Sequence, residues 1–305
     1  MNRLILVDTQ NFFHRAFYAY PMELTTSEGE PINAVYGFAS MLVSLAQDLQ
    51  PTHLAAADES EKEVVFRQIE FAEYKGTRVP KTPEEQALFD AQLPKLSEFL
   101  TAAGIPRLVA EGFEADDVIG TLAEKLSRKA EVIVASNDRD LMQLIGGSVR
   151  FYLPAVGKQK AKLYSEKEFL EEYGFRPPQL VEYKSLRGDP SDNIPGVRGI
   201  GERTASELVR KYGTVKEIYR HLPDLKPAIA RRLTDGKEQA QLSYQLAKIV
   251  TAVPLQVDLG DLRFSGFNQP AVRELFRKWN FKSLIAKIEG SLAEAQEDQS
   301  QLKLF

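Results

Sequence analysis

The sequence predicts an α/β fold with a mainly parallel central sheet and helices on both faces. Two observations carry this expectation. Leu4-Ile-Leu-Val7, Leu54-Ala-Ala-Ala57, Arg107-Leu-Val-Ala110 and Val132-Ile-Val-Ala135 are short apolar runs, each followed by helical pattern, as buried parallel strands are. Each run also leads into an acid: Asp8, Asp58, Glu114, and Asp138 with Asp140. In a parallel sheet the site lies at the carboxyl ends of the strands, so the four runs converge on one acidic centre.

Taken in order, the first strand ends at Asp8 and Thr9 opens a helix containing His14, read as a packing residue because no second His lies near it. Pro31–Gln50 reads as a helix, with Val35, Phe38, Leu42, Leu45 and Leu49 on one apolar face. The second strand leads to Asp58. Residues 59–83 then change character, mixing Arg67, Tyr74, Lys75, Arg78 and Lys81 with prolines. Such a mixture reads either as a solvated loop or as a segment that grips phosphates and stacks a base. Pro83 begins the next helix and Pro94 kinks or splits it. Ile105–Ala110 is expected as the third strand. The stretch Glu114-Ala-Asp116-Asp117 opens the following helix. Taken alone, first-turn acids only complement a helix dipole. A short helix over Leu141–Ile145 and a hairpin of Val149–Leu153 with Ala161–Tyr164 around Gly157 complete this α/β region, residues 1–175.

From 176 to 290 the chain reads as mostly helical. A helix over Pro177–Leu186 leads to Asp189 and Asp192. The glycine-rich stretch Gly196-Val197-Arg198-Gly199-Ile200-Gly201-Glu-Arg203-Thr204 then enters another helix. It is an ordinary glycine-rich turn, or one whose amides hold a DNA phosphate and whose carbonyls bind a monovalent cation. Further helices are expected near 236–251 and 268–289. Residues 291–305 form a polar tail, expected to be flexible, that closes on Gln301-Leu302-Lys303-Leu304-Phe305; three large apolar residues in such a tail suggest docking into a pocket.

Composition bounds the chemistry. The chain has 305 residues, no cysteine and a formal net charge of −4. This excludes disulfides and Cys-ligated metals. No apolar run is long enough to span a membrane, and a cytoplasmic location is expected. Two carboxylates 4 Å apart repel by about 4 kcal/mol at an effective dielectric near 20, so a cluster of six or more protonates in part or holds cations. Oxygen ligands without Cys or His suit Mg²⁺ or Mn²⁺, and two such ions clamp the attacking and leaving oxygens of a phosphodiester. An aspartyl-nucleophile phosphatase would want Asp-x-Asp after the first strand, where this chain has Asp8-Thr9-Gln10.

Several motifs then coincide: Leu-Val-Asp8, Ala34-Val-Tyr-Gly-Phe38, Tyr74-Lys75 with Arg78, Glu114-Ala-Asp-Asp-Val-Ile-Gly-Thr121, Asp138-Arg-Asp-Leu141, Gly188-Asp-Pro-Ser-Asp-Asn-Ile-Pro-Gly196 and Gly199-Ile-Gly201. Over residues 3–289 the chain resembles the 5′-nuclease family, which comprises the N-terminal domain of bacterial DNA polymerase I, phage 5′-exonucleases and flap endonucleases. The resemblance implies a PIN-like 5′-nuclease fold with a helical arch over residues 59–93 and a helix–three-turn–helix element over about 185–215. It implies a standalone Mg²⁺-dependent 5′→3′ exonuclease and flap endonuclease of replication and repair, acting as a monomer on flap, nicked or 5′-overhang DNA or RNA–DNA hybrids.

Residue by residue, the resemblance places Asp8, Asp58, Glu114 and Asp116 at one metal site. It places Asp116, Asp138, Asp140, Asp189 and Asp192 at another, with Asp117 beside them as a supporting or extra-ion ligand. It gives Lys75 and Arg78 the scissile phosphate and Tyr74 a base to stack on. Arg67, Lys81, Arg198, Gly199, Gly201, Arg203 and Thr204 are expected to contact DNA, with K⁺ on the carbonyls of Gly196, Val197 and Ile200. Thr9-Gln10 and Asn137 depart from the Gly-Ser and Gly common in the family, which should alter loop geometry. Gln301, Leu302, Leu304 and Phe305 resemble a bacterial sliding-clamp-binding peptide, with Lys303 at a position often small or acidic. A catalytically weak junction-binding, clamp-associated module and an RNA-cleaving relative are the competing readings.

Overall fold

The computed structural model describes residues 2–60, 65–155 and 160–290. Gly157 and the tail with Gln301–Phe305 lie outside the described residues, as do positions 61–64 of the expected arch. Six strands, β1 (Arg3–Asp8), β2 (His53–Ala57), β3 (Arg107–Leu108), β4 (Glu131–Ala135), β5 (Val149–Leu153) and β6 (Lys162–Tyr164), form one sheet in the order β3-β2-β1-β4-β5-β6. Every neighbouring pair is parallel except the β5–β6 hairpin. The register pairs Asp8 with Ala57 and Val7 with Ala135, so the acids that follow β1, β2 and β4 emerge at one edge.

Strand alternation explains the layers. Leu4, Leu6, Ala55, Val132 and Val134 face one core with Val118, Ile119 and Leu122 of helix α6 (Ala115–Leu126). Ile5, Val7, Leu54, Ala56 and Ile133 face the other. That second core is closed by α1 (Thr9–Ala19), α2 (Asn33–Leu49), α5 (Leu93–Ala102) and α13 (Pro270–Lys278). Between α2 and α5 run α3 (Phe66–Glu70) and α4 (Pro83–Asp90). The remainder is α7 (Glu166–Tyr173), α8 (Leu180–Arg187), α9 (Glu202–Tyr212), α10 (Val215–Arg220), α11 (Pro227–Asp235) and α12 (Lys237–Ala247).

Two expectations change in detail. The third strand pairs only over Arg107–Leu108. Pro106 has no N–H to donate, although its carbonyl accepts from Ala56 N at 3.0 Å. At Pro94 the helix is split in two, one of the two outcomes expected, with Thr82 and Glu85 forming a capping box at the start of α4. The long C-terminal helix breaks at Asn280, whose φ is 59°, and resumes over 282–290.

The helical region is seated on α6 through a close approach. A Cβ on Gly120 would lie 2.5 Å from Ile249 Cγ2 and 3.2 Å from Val250 O. Only glycine lets residues 249–251 come near enough for Val250 N to donate to Asp117 Oδ1 at 2.8 Å and Val253 N to Thr121 Oγ1 at 3.1 Å. Among the described residues no helix is long and apolar enough to cross a membrane.

Candidate active site

The acids converge at the carboxyl edge of the sheet. Asp8 caps α1, accepting Asn11 N at 3.1 Å and Ser136 Oγ at 2.7 Å. Asp58 follows β2 and is fully buried, accepting Arg107 Nε at 2.5 Å and Gln10 Nε2 at 2.9 Å. Glu114 caps α6 and Asp116 lies in its first turn. Asp138 follows β4 and accepts Asp140 N at 2.8 Å. Asp189 and Asp192 lie in the loop after α8, closed by reciprocal bonds between the backbones of Asp189 and Ile194.

Electrostatics show which carboxylates share a field. Burial pushes Asp8 up to about 7, opposed by its hydrogen bonds and reinforced by Asp138. Burial, then Asp138 and Asp8, push Asp116 well above its ordinary value. Burial and Asp138 also lift Asp140 to about 7 against the pull of Lys184. Asp189 shifts the other way: burial raises it, but Lys184 and Ser191 outweigh burial and leave it below the usual carboxylate range.

Cations from three directions meet these acids. Lys75 pairs with Glu114, and Arg78 Nη2 with Asp192 Oδ1 at 2.7 Å. Lys184 donates to both Asp140 and Asp189. Lys184 escaped the sequence reading. Its signal was a lysine one turn after Leu180 on the buried face of α8. Gln10, one of the family departures, holds Asp58. Asn137, the other, donates to Asn11 Oδ1 through its amide N and its Nδ2 at 2.9 and 2.8 Å and accepts from Arg15. Among the described residues no group of three carboxylates closes around a single ion position; lysines and arginines stand between them.

Three of the expected site residues are engaged within the protein. Arg67 was expected on DNA but is 2% exposed. It donates to Glu114 at 2.7 Å, to Asp117 at 2.7 and 2.8 Å, and to the carbonyls of Leu246 and Lys248 at 3.0 and 2.9 Å, leaving no face for a phosphate. Asp117, expected as a supporting or extra-ion ligand, has its oxygens taken by Arg67 and by the amides of Glu114 and Val250, which suits the supporting role. Tyr74 was expected to stack on a base. Instead its ring is buried with Val181, Ile194, Leu246 and Ala247, and its hydroxyl donates to Glu114 at 3.1 Å.

Lys75 and Arg78 stay with the site. Lys75 adopts φ +58°, a conformation disfavoured for a residue with a Cβ, and its amide donates to Asp192 O at 2.9 Å. Asn193 Nδ2 donates to Glu73 O at 2.7 Å, adding a second tether. Lys81 turns toward α1, with Nζ 3.2 Å from His14 Nε2 and 4.1 Å from the Phe89 ring centroid. Burial and the charges of Lys81 and Arg78 hold His14 near pKa 4, consistent with a packing role. In the glycine-rich turn, Gly196 and Gly199 have φ of 61° and 82°. Gly201 caps α9 and Thr204 lies in its first turn. Arg198 is exposed, and Arg203 pairs with Glu207 at 3.0 Å. Val197 O already accepts Ile200 N at 2.9 Å, and Gly199 O accepts Arg232 Nη1 at 3.0 Å.

Residues 3–174 match the family model for the 5′–3′ exonuclease N-terminal resolvase-like domain, and residues 175–270 that for the 5′–3′ exonuclease C-terminal SAM fold. The chain belongs to the 5′–3′ exonuclease family. It is 38% identical over 300 residues to DNA polymerase I of Bacillus subtilis (strain 168), covering 98% of this chain and 33% of that protein. Against the thermostable DNA polymerase I of Thermus thermophilus the identity is 38% over 284 residues, covering 93% and 32%. The chain thus spans about one third of the length of these relatives. Its fold is similar to that of T5 5′-exonuclease, solved with bound divalent metal ions (zinc), with a TM-score of 0.66, 24% identity, and coverage of 82% of this chain and 90% of that one. The catalytic core of Rad2 in complex with DNA substrate gives a TM-score of 0.58 at 15% identity, covering 91% and 87%.

Replacing Arg67 by Met leaves Glu114 and Asp117 buried without their cation, a change that costs about 3–5 kcal/mol in comparable buried pairs. Urea unfolding of Arg67→Met should therefore show a midpoint far below that of the parent. An unchanged midpoint would mean that Arg67 does not seat α6.

Proposed function

We propose that the nuclease hydrolyses DNA phosphodiesters at 5′ ends and at the base of 5′ flaps, using two or more bound Mg²⁺ or Mn²⁺ ions. The observation that carries this reading is the shared field of Asp8, Asp116, Asp138 and Asp140, drawn from three different elements, with Lys75 and Arg78 held over it. The donor set fits a hard divalent cation: it is all oxygen, and burial first, then neighbouring carboxylates, raise Asp8, Asp116 and Asp140 in pKa. Asp8, Asp58, Glu114, Asp116, Asp138, Asp140, Asp189 and Asp192 would hold the ions. When bound, the ions supply an activated water nucleophile and positive charge for the leaving oxygen.

The chain's own groups do the rest. Lys75 and Arg78 donate to the reacting phosphate and offset its developing charge, while Glu114 and Asp192 keep both head groups aimed. The amides at the N-terminus of α9, with Arg198, Arg203 and Thr204, take phosphates of the duplex, and the turn carbonyls of Gly196, Val197 and Ile200 offer a K⁺ position. The DNA polymerase I relatives favour flap and primer removal in replication and repair. Gln301-Leu302-Lys303-Leu304-Phe305 would tether the enzyme to a bacterial sliding clamp.

Asp116→Ala should lower cleavage of a 5′-labelled flap duplex in Mg²⁺ by at least about 10²-fold, with flap binding still measurable. Retained turnover would reject the role, and parental binding without cutting in Mg²⁺ or Mn²⁺ would favour a junction-binding module. Deleting residues 301–305 should leave this cleavage intact and abolish clamp pull-down; unchanged pull-down would end the tether reading.

Asp8 and Asp140 are raised from an ordinary 3.8 to about 7. Their protonated forms therefore stabilise the fold fully below pH 4, and that contribution is lost as pH rises through 7. Ions compete with those protons. The Tm gain given by Mg²⁺ over chelator should thus be larger at pH 8 than at pH 5.5, as read by scanning fluorimetry. A larger gain at pH 5.5 would contradict ion binding at these carboxylates.

A further inference from the structure

The cleft that holds Asp138, Asp140, Asp189 and Asp192 continues past them. It encloses about 730 Å³. One end carries Arg78 of the arch segment, and the wall beyond the acids is built from α8, α9 and the end of α7. That wall carries Arg139, Arg187 and Arg210 with Tyr173 and Tyr183, against Glu172 and Glu202. Nothing in the reading of the two acid sites or of the glycine-rich turn uses it.

Two of its arginines are already engaged. Arg139 Nη1 donates to Glu172 Oε1 at 2.9 Å and to the Tyr173 hydroxyl at 3.0 Å. Arg210 donates twice to the Tyr173 carbonyl, at 3.2 and 2.6 Å. Arg187 is different. It is exposed, and among the described residues it makes no hydrogen bond or ion pair. Its guanidinium lies over the Tyr183 ring, 5.9 Å from the centroid. Tyr183 precedes it by four residues on the same helix, where neighbouring side chains meet. Stacking on an aromatic face steadies the planar fork without using its N–H donors. Among the described residues its N–H donors have no partner, so they can meet a phosphate that arrives along the cleft.

We propose that this wall is a phosphate subsite for the strand being cut, with Arg187 as its direct contact and Arg139 and Arg210 supplying background positive potential. The proposal rests on the nuclease reading above. A strand whose phosphodiester lies at the acids and whose one side is covered by Arg78 runs next along this wall. Arg187 holds that strand by its backbone, so its contribution is independent of base sequence.

The test measures binding of a 5′-flap duplex by fluorescence anisotropy in chelator, for the parent, Arg187→Gln and Arg187→Lys. Single phosphates of the cut strand, on both sides of the cleavage point, are replaced in turn by uncharged methylphosphonate. Arg187→Gln should bind unmodified flap about tenfold more weakly, the scale of one charge-assisted hydrogen bond. Its dependence of log Kd on log salt should be shallower by about one. One or two methylphosphonate positions should weaken the parent while leaving Arg187→Gln nearly unaffected. Arg187→Lys should recover the salt slope. Equal responses of parent and Arg187→Gln at every position, or an unchanged salt slope, would overturn the subsite. Cleavage of the same flap by the parent in Mg²⁺ is scored separately. Cutting with no effect of Arg187→Gln rejects the subsite alone, whereas no cutting by the parent rejects the nuclease reading.

Discussion

Arg67 joins three parts of the chain that no local interaction would bring together. From α3 its guanidinium reaches Glu114 and Asp117 at the start of α6, and the carbonyls of Leu246 and Lys248 at the end of α12. Removing such groups from water is expensive, and a buried ion pair is worth having only when nearly every donor and acceptor is met. Here that condition holds: Asp117 also accepts two backbone amides. The network therefore fixes geometry more than it adds stability. It sets the first turn of α6, and with it Asp116, relative to the arch segment above and the helical region behind.

The same principle, applied with fewer partners, leaves the acid centre unbalanced. Burial acts first on Asp8, Asp116 and Asp140, each also feels Asp138, and their protons are correspondingly hard to remove. Asp189 and Asp140 share Lys184, yet only Asp189 ends below its ordinary value, because burial weighs more on Asp140 and Asp138 adds to it. The site thus divides into a compensated side near α8 and an under-compensated side at the ends of β1 and β4. The second is where additional positive charge stabilises most.

Much of this was legible in the sequence because it depends on local pattern. Continuous apolar runs gave the strands, and an acid after each run gave the centre. The β3 ladder came out shorter than expected because Pro106 limits pairing. What could not be read was side-chain direction over long separations. Arg67 and Tyr74 lie in a charged, proline-interrupted stretch and so looked solvent-facing, but their partners are up to 181 residues away. Asp117 differs from Asp116 by one helical position, about 100° of rotation, which turns one acid toward the arginine and leaves the other with the cluster. Lys184 was hidden for the converse reason, being a lysine on a helix face otherwise given to core residues.

The arch segment shows how a flexible-looking composition is made to hold a position. Lys75 keeps a left-handed backbone without being glycine, and such strain persists only where the surroundings enforce it. The enforcement is visible: its amide on Asp192 O, Asn193 on Glu73 O, and the Tyr74 ring buried against Val181 and Leu246. These contacts are all to the backbone or the core, so they do not depend on what the Lys75 ammonium or the Arg78 guanidinium is bound to. Under the proposed function both head groups exchange Glu114 and Asp192 for a phosphate while their stems stay in place. A nuclease that receives and releases DNA at every cycle would need that separation between a fixed backbone and exchangeable charges, and a net charge of −4 is compatible with DNA binding where positive groups are held locally.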